Sequence, residues 1–204
     1  MHGTSIDTIR INGGRLCLDF INTAAYEASR PAIEFVTGFD DLVRWGLRQE
    51  LIRPETAQRL RERARLAPSE CTSATAQALE LRQALRDIFE PNRVSAKVLA
   101  GIATLNHILA RDAPAAQLVT SKTGAEYAGT AGPIAWLTGP VAISAAELAT
   151  SKAAAQVQMC PGEGCHWLFI DQSRNGTRRW CSMESCGNRA KARAHYRARR
   201  QAPP

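Results

Sequence analysis

The sequence predicts a mainly α-helical protein: an N-terminal helical bundle domain with one β-hairpin over residues 1–155, then a small cysteine-rich module of hairpin and helix over 156–204. Three observations lead there. Apolar residues recur at helical spacing between 39 and 109, four cysteines fall in two matched pairs, and positive charge is concentrated around and behind those pairs. Residues 156–204 hold nine Lys or Arg against three Asp or Glu, whereas the first 155 hold seventeen against sixteen. The net charge of +7 therefore belongs almost wholly to the C-terminal quarter, which asks for a polyanionic partner.

The elements follow in order. The run LCLDFINTAAY (16–26) is apolar but carries Asp19 and Asn22, and its pattern does not decide between strand and helix. FDDLVRWGLRQEL reads as a helix opened by Asp40 or Asp41, and Pro54 suits the first turn of a second helix through Leu66. Leu81, Leu85, Ile88 and Phe89 mark a third, and Ser95 caps a fourth with Val98, Ile102, Leu105 and Leu109 on one face. QLVTSKTGAEYAGT, β-branched and aromatic around Lys122-Thr123-Gly124, reads as a hairpin. Ser144 followed by Glu147 reads as a capping box heading an alanine-rich helix that ends near Ala155.

The cysteines are spaced C-x4-C-x15-C-x4-C, as Cys160, Cys165, Cys181 and Cys186. A turn carrying two thiolates supplies half of a zinc tetrahedron, and Pro161, Gly162 and Gly164 make the turn tight. Four thiolates leave no open coordination position, so one zinc ion with a structural role is expected; His166 is expected beside the site, outside its ligand set. Zinc supplies much of the folding free energy of so small a unit, and its loss is expected to unfold the module while sparing the body. The remaining Cys17 and Cys71 read as small buried apolar residues. HWLFIDQSRNGTRRW is expected to form two strands about the turn Arg174-Asn175-Gly176, with Trp167, Phe169 and Trp180 as the module's core.

After Cys186, GNRAKARAHYRARR has high helix propensity. Arg189, Arg193, Arg197 and Arg200 fall on one stripe with Tyr196, while Ala190, Ala194 and Ala198 line a neighbouring face suited to packing on the hairpin. Part of the charge offsets a four-thiolate site of formal charge −2, for which Arg178, Arg179 and Arg189 are placed. Nine cations exceed that need, so duplex DNA is the expected partner, with Arg174, Arg178, Arg179, Arg189, Arg193, Arg197 and Arg200 as contacts.

Over CPGEGCHWLFIDQSRNGTRRWCSMESCGNRAKARAHYR the chain resembles the CGNR zinc-finger family of bacterial proteins, whose tetrapeptide stands here as Cys186-Gly187-Asn188-Arg189. The resemblance implies the four cysteines as zinc ligands and a DNA-binding role. GRLCLDFINT (14–23) resembles the start of the ABATE domain, which precedes this finger in stress-response transcription regulators. The expectation is a treble-clef-like finger behind a helical regulatory body.

That body leaves two readings of LCLDFINT open. In one, Asp19 accepts backbone N–H groups or pairs with Arg15, and Asn22 caps a helix. In the other, the two line a site for a small polar effector, with Phe20 and Trp45 as walls. A homodimer would give the body a further role. The competing class of function is a zinc-dependent module that binds protein or RNA. There is no Gly-rich phosphate loop, nucleophile elbow or open metal site, so no enzyme is expected. With no secretory signal and no apolar run of membrane-spanning length, the expected location is the cytoplasm and no membrane partner is expected.

Overall fold

The computed structural model describes residues 3, 5–27, 30–91, 94–112, 116–121, 124–129, 134–173 and 175–201. Its order is α1 (Leu16–Ile21), β1 (Ala24–Glu27), β2 (Arg30–Glu34), α2 (Phe39–Arg48), α3 (Pro54–Leu66), α4 (Pro68–Phe89), α5 (Ser95–Asp112), β3 (Ala116–Ser121), β4 (Gly124–Gly129), α6 (Ala135–Thr150), β5 (Val157–Met159), β6 (Leu168–Ile170) and α7 (Asn188–Gln201). Three antiparallel two-stranded sheets, β1–β2, β3–β4 and β5–β6, accompany the helices. The mainly helical class with a hairpin holds.

The run left open at residues 16–26 is both things in succession. Leu16–Ile21 makes less than two turns of helix, and the chain then enters β1, which pairs with β2. So short a helix is unstable alone and exists here because it is surrounded: Cys17, Leu18, Phe20 and Ile21 are wholly buried, and α1 packs against α4, α6 and β6. The core of the body is built around it.

Helices α2 and α3 begin where the sequence places them. Asp41 reaches back to accept the N–H groups of Thr37 (2.7 Å) and Gly38 (3.2 Å), which satisfies donors that the helix start leaves free. Pro54 opens α3. The hairpin at 116–129 is present, with Ser121 opposite Gly124; Lys122 and Thr123 lie outside the described residues.

Two expectations about helices fail. Ser144 is no cap: α6 starts nine residues earlier at Ala135 and runs through Pro140, and the Ser144 hydroxyl accepts the N–H of Cys17 (3.2 Å) from the first turn of α1. Because α6 is apolar on nearly all sides, burial holds it through a Gly-Pro pair that reads as a break. In α5 the buried face is Gly101, Leu105, Ile108 and Asp112, while Ile102 stands 41% exposed. Gly101 sets this rotation: a Cβ there would lie 2.7 Å from the Ala84 carbonyl oxygen, so α5 meets α4 along its glycine.

Candidate metal centre and basic surface

The hairpin that builds the site differs from the expected one. β5 ahead of Cys160 pairs with β6 behind His166, Val157 opposite Ile170 and Met159 opposite Leu168, so the turn between them is the segment holding Cys160 and Cys165. Residues 171–173 and 175–180, expected as strand and turn, form a loop; Arg174 lies outside the described residues. Asp171 explains the change, since its carboxylate accepts the N–H groups of Ser173 (2.8 Å) and Arg178 (2.7 Å) and closes the loop on itself.

Within the turn, the Cys160 N–H donates to the Trp167 carbonyl (2.8 Å) and the Cys165 N–H to that of Gly162 (3.0 Å). Gly162 must be glycine, because a Cβ there would approach Cys186 Sγ to 2.9 Å. Residues 183–187 then form one wide helical turn that carries Cys186 into α7. The first pair of thiols is presented by a tight turn and the second by Cys181 and the wide turn that follows it, and all four are buried.

The four sulfurs lie within 4.8 Å of one another, with Cys165 and Cys181 at 3.6 Å and Cys181 and Cys186 at 3.7 Å. Four sulfurs at about 2.3 Å from a tetrahedral zinc are about 3.8 Å apart, so the arrangement fits one closed, structural zinc ion. Thiols this close cannot ionise independently. Hydrogen bonds from Cys160, Cys165, Cys181 and Arg189 push the Cys186 thiol far below its ordinary range, while Cys165 and Cys181 are pushed far above theirs, chiefly by Cys160. A divalent cation resolves that conflict by taking all four as thiolates. His166 takes no place in the cluster; its backbone sits at φ 48° and its carbonyl accepts from Arg86 (2.9 Å).

The finger is fastened to the body by buried polar contacts. Asn22 donates to the Leu168 carbonyl (2.8 Å) and accepts the Leu168 N–H (2.9 Å), and Trp167 Nε1 donates to the Ala24 carbonyl (2.8 Å). The N–H of Tyr26 donates to the carbonyl of the zinc ligand Cys165 (3.0 Å). Trp167, Leu168, Phe169 and all four cysteines belong to the same buried cluster as the body's core. Trp167 and Phe169 are core as expected; Trp180 is half-buried against it.

Asp19 bonds as the structural reading expects, while the Asn22 side chain, expected to cap a helix, instead bonds the backbone of Leu168 and only its backbone N–H closes the end of α1. Asp19 accepts the Gly13 N–H (2.7 Å), whereas Arg15 donates to the Gly14 carbonyl (3.0 Å). Burial pushes the Asp19 carboxyl up to about 6 against the backbone bonds that favour its charge. Phe20 and Trp45 are wholly buried with ring centroids 5.2 Å apart. An effector at these four residues would have to open the core. Cys17 and Cys71 are buried, and desolvation lifts the Cys17 thiol to about 11.

The arginines divide into two groups. Arg178 is spent on the fold: it donates to the carbonyls of Asn12 (2.9 Å), Trp180 (3.1 Å) and Cys181 (2.5 Å), and its guanidinium lies 4.3 Å over the Phe169 ring. Arg189 donates to Cys186 Sγ at 3.1 Å and offsets thiolate charge. The others face outward. Arg193 pairs with exposed Glu163, Arg200 lies over the Tyr196 ring at 5.4 Å, and Arg179 and Arg197 are exposed. The alanine face of α7 is not packed on the hairpin: Ala190 is half-buried, Ala194 is exposed, and the side chain of Ala198 is not described. Among the described residues α7 packs chiefly on the turn at 183–187, with Arg193 reaching Glu163.

Fold and site together define a zinc-finger protein in which a four-cysteine finger is set into a helical body. The chain belongs to the ABATE family, described as "Putative stress-induced transcription regulator", which matches residues 14–152, and the CGNR zinc finger matches residues 156–200. No curated protein matches the chain. Among the described residues no helix is long and apolar enough to cross a membrane.

Proposed function

We propose that the chain binds duplex DNA as a transcription regulator, with α7 and the adjoining finger surface as its contact and zinc in a supporting role. One observation carries this: α7 holds six Lys or Arg and no Asp or Glu, and beyond its first turn every side chain described except the half-buried Arg193 is exposed. At about 1.5 Å per residue its fourteen residues span roughly 21 Å, and a major groove about 12 Å wide is of a size to admit an α-helix. The exposed pair of Arg193 with Glu163 costs little to exchange for a phosphate. Arg179, Arg193, Arg197 and Arg200 are the contacts this reading assigns, while Arg178 and Arg189 hold the finger that presents them. No reaction is assigned to the chain.

The test is duplex binding by the zinc-loaded chain across salt concentrations. Replacing Arg197 and Arg200 together by Ala should lower the slope of log affinity against log salt by about two and leave the melting temperature unchanged. Equal affinity and slope in parent and variant would remove α7 from the interface. Enrichment of a discrete genomic site at physiological salt would distinguish sequence readout from charge attraction; an RNA or protein partner recovered in its place would favour the interaction-module class.

A further inference from the structure

The segment ahead of α1 lies within the ABATE match only from Gly14, yet physically it is part of the finger. Arg10 donates to Ser182 Oγ (3.1 Å) and pairs with Glu184 (2.7 Å); Asn12 donates to the Cys181 carbonyl (2.6 Å); the Gly13 carbonyl accepts the Ile170 N–H (3.0 Å). Residues 10–14 thus run along the finger from the base of α7 towards the loop closed by Asp171. Arg15 is where they arrive.

Its guanidinium is located by a shared acceptor. Arg15 Nη1 (3.0 Å) and Gln172 Nε2 (3.3 Å) both donate to the Gly14 carbonyl oxygen, so the two side chains lie within two hydrogen-bond lengths of each other. Both residues are exposed. A guanidinium carries five donors and this bond uses one; no carboxylate pairs with Arg15 among the described residues. The loop beside it turns its acid inward. Asp171, the only Asp or Glu between Glu163 and Glu184, is occupied by backbone N–H groups, and Gln172, Ser173, Thr177 and Arg179 are left facing solvent. A guanidinium with free donors beside an exposed amide, next to a loop whose acid is occupied, suits a phosphate oxygen.

We propose that Arg15 and Gln172 form a further phosphate contact of the duplex site, so that body and finger share the footprint. The proposal rests on the DNA-binding reading above, and it explains why the body is joined to the finger by fixed polar bonds: a cation on the body must hold its position relative to α7 for both to meet one duplex.

The experiment uses the full zinc-loaded chain and a labelled duplex of about two helical turns, roughly 20 base pairs, titrated at several salt concentrations. Arg15→Ala should weaken binding about five-fold at about 0.15 M salt and lower the salt slope by about one, with no change in melting temperature; Arg15→Lys, which keeps the charge, should return both. Arg197→Ala serves as the reference. If it weakens binding while Arg15→Ala binds like the parent, the footprint ends at the finger and this proposal fails while the DNA reading stands. If Arg15→Ala lowers the melting temperature and Arg15→Lys restores no affinity, Arg15 is structural and the proposal fails equally. A parent chain that shows no salt-dependent binding overturns both.

Discussion

Asp19 and Arg189 show how single side chains do work that their residue type does not announce. Arg189 belongs by spacing to the basic stripe of α7, but its N–H···S bond to Cys186 ties the helix to the zinc site and offsets thiolate charge. Asp19 is a carboxylate retained in an apolar core because it closes the turn before α1. With its folded carboxyl titrating at about 6 and its ordinary value at 3.8, the folded state holds the proton more tightly than the unfolded chain does. Its stabilising contribution is complete below about pH 4 and is withdrawn as the pH rises through about 6, a change of about 3 kcal/mol at most. Asp19→Asn keeps an acceptor for the Gly13 N–H but has no charge to bury. The stability of the parent minus that of the variant should therefore fall between about pH 4 and 7 in zinc-containing buffer. A difference that stays flat or rises with pH in denaturant titrations would contradict this.

At the scale of elements, α4 is the strut between the body and the zinc turn. Arg82 reaches from it to Thr23 Oγ1 (3.0 Å) and to Glu34, and Arg86 reaches to the His166 carbonyl and to Glu90 (3.1 Å), with its guanidinium 3.8 Å over the Tyr26 ring. Arg86 is wholly buried, so removing its charge leaves both Glu90 and the His166 carbonyl without that partner. Arg86→Met should destabilise the chain by about 3–5 kcal/mol, the cost of breaking a buried pair. Urea unfolding with a loss below about 1 kcal/mol would show that α4 is not the strut. By contrast α7 packs chiefly on the turn at 183–187, so replacing the exposed Arg197 or Arg200 by Ala is expected to shift stability by less than about 0.5 kcal/mol.

At the scale of the whole molecule, packing among the described residues is continuous across the boundary between the two family matches. One buried cluster runs from Ile6 through the body's helices to Cys186, and Asn22, Trp167 and Arg86 bond across it. The sequence suggests a finger that unfolds alone when zinc is lost; the packing predicts that loss of the metal spreads. Stripping zinc with a chelator should lower the melting temperature of the body, and Trp45 and Trp136, buried in the body's helices α2 and α6, should report the same transition as Trp167. A body transition unmoved by chelation, with only the finger signals lost, would show that the two parts are thermodynamically separate.

The cysteine spacing, the helical periodicity of α2 to α4 and the charge of α7 are properties of local sequence, so the zinc ligands, the helical class and the basic helix could be read from it. The capping signals of α2 and α3 are local too. The strand pairing was not legible, because β5 and β6 are three residues each, and their partnership is fixed by the metal turn between them and by Asn22 from far away in the chain. Nor could periodicity find α6, whose Gly-Pro break is overridden by burial on nearly every side, or the register of α5, which Gly101 sets by its approach to α4. Which arginines face outward is decided in the same way. A guanidinium is committed to the fold or offered to solvent according to the carbonyls, sulfurs and rings that the rest of the chain brings within reach, and only the tertiary structure assembles those partners.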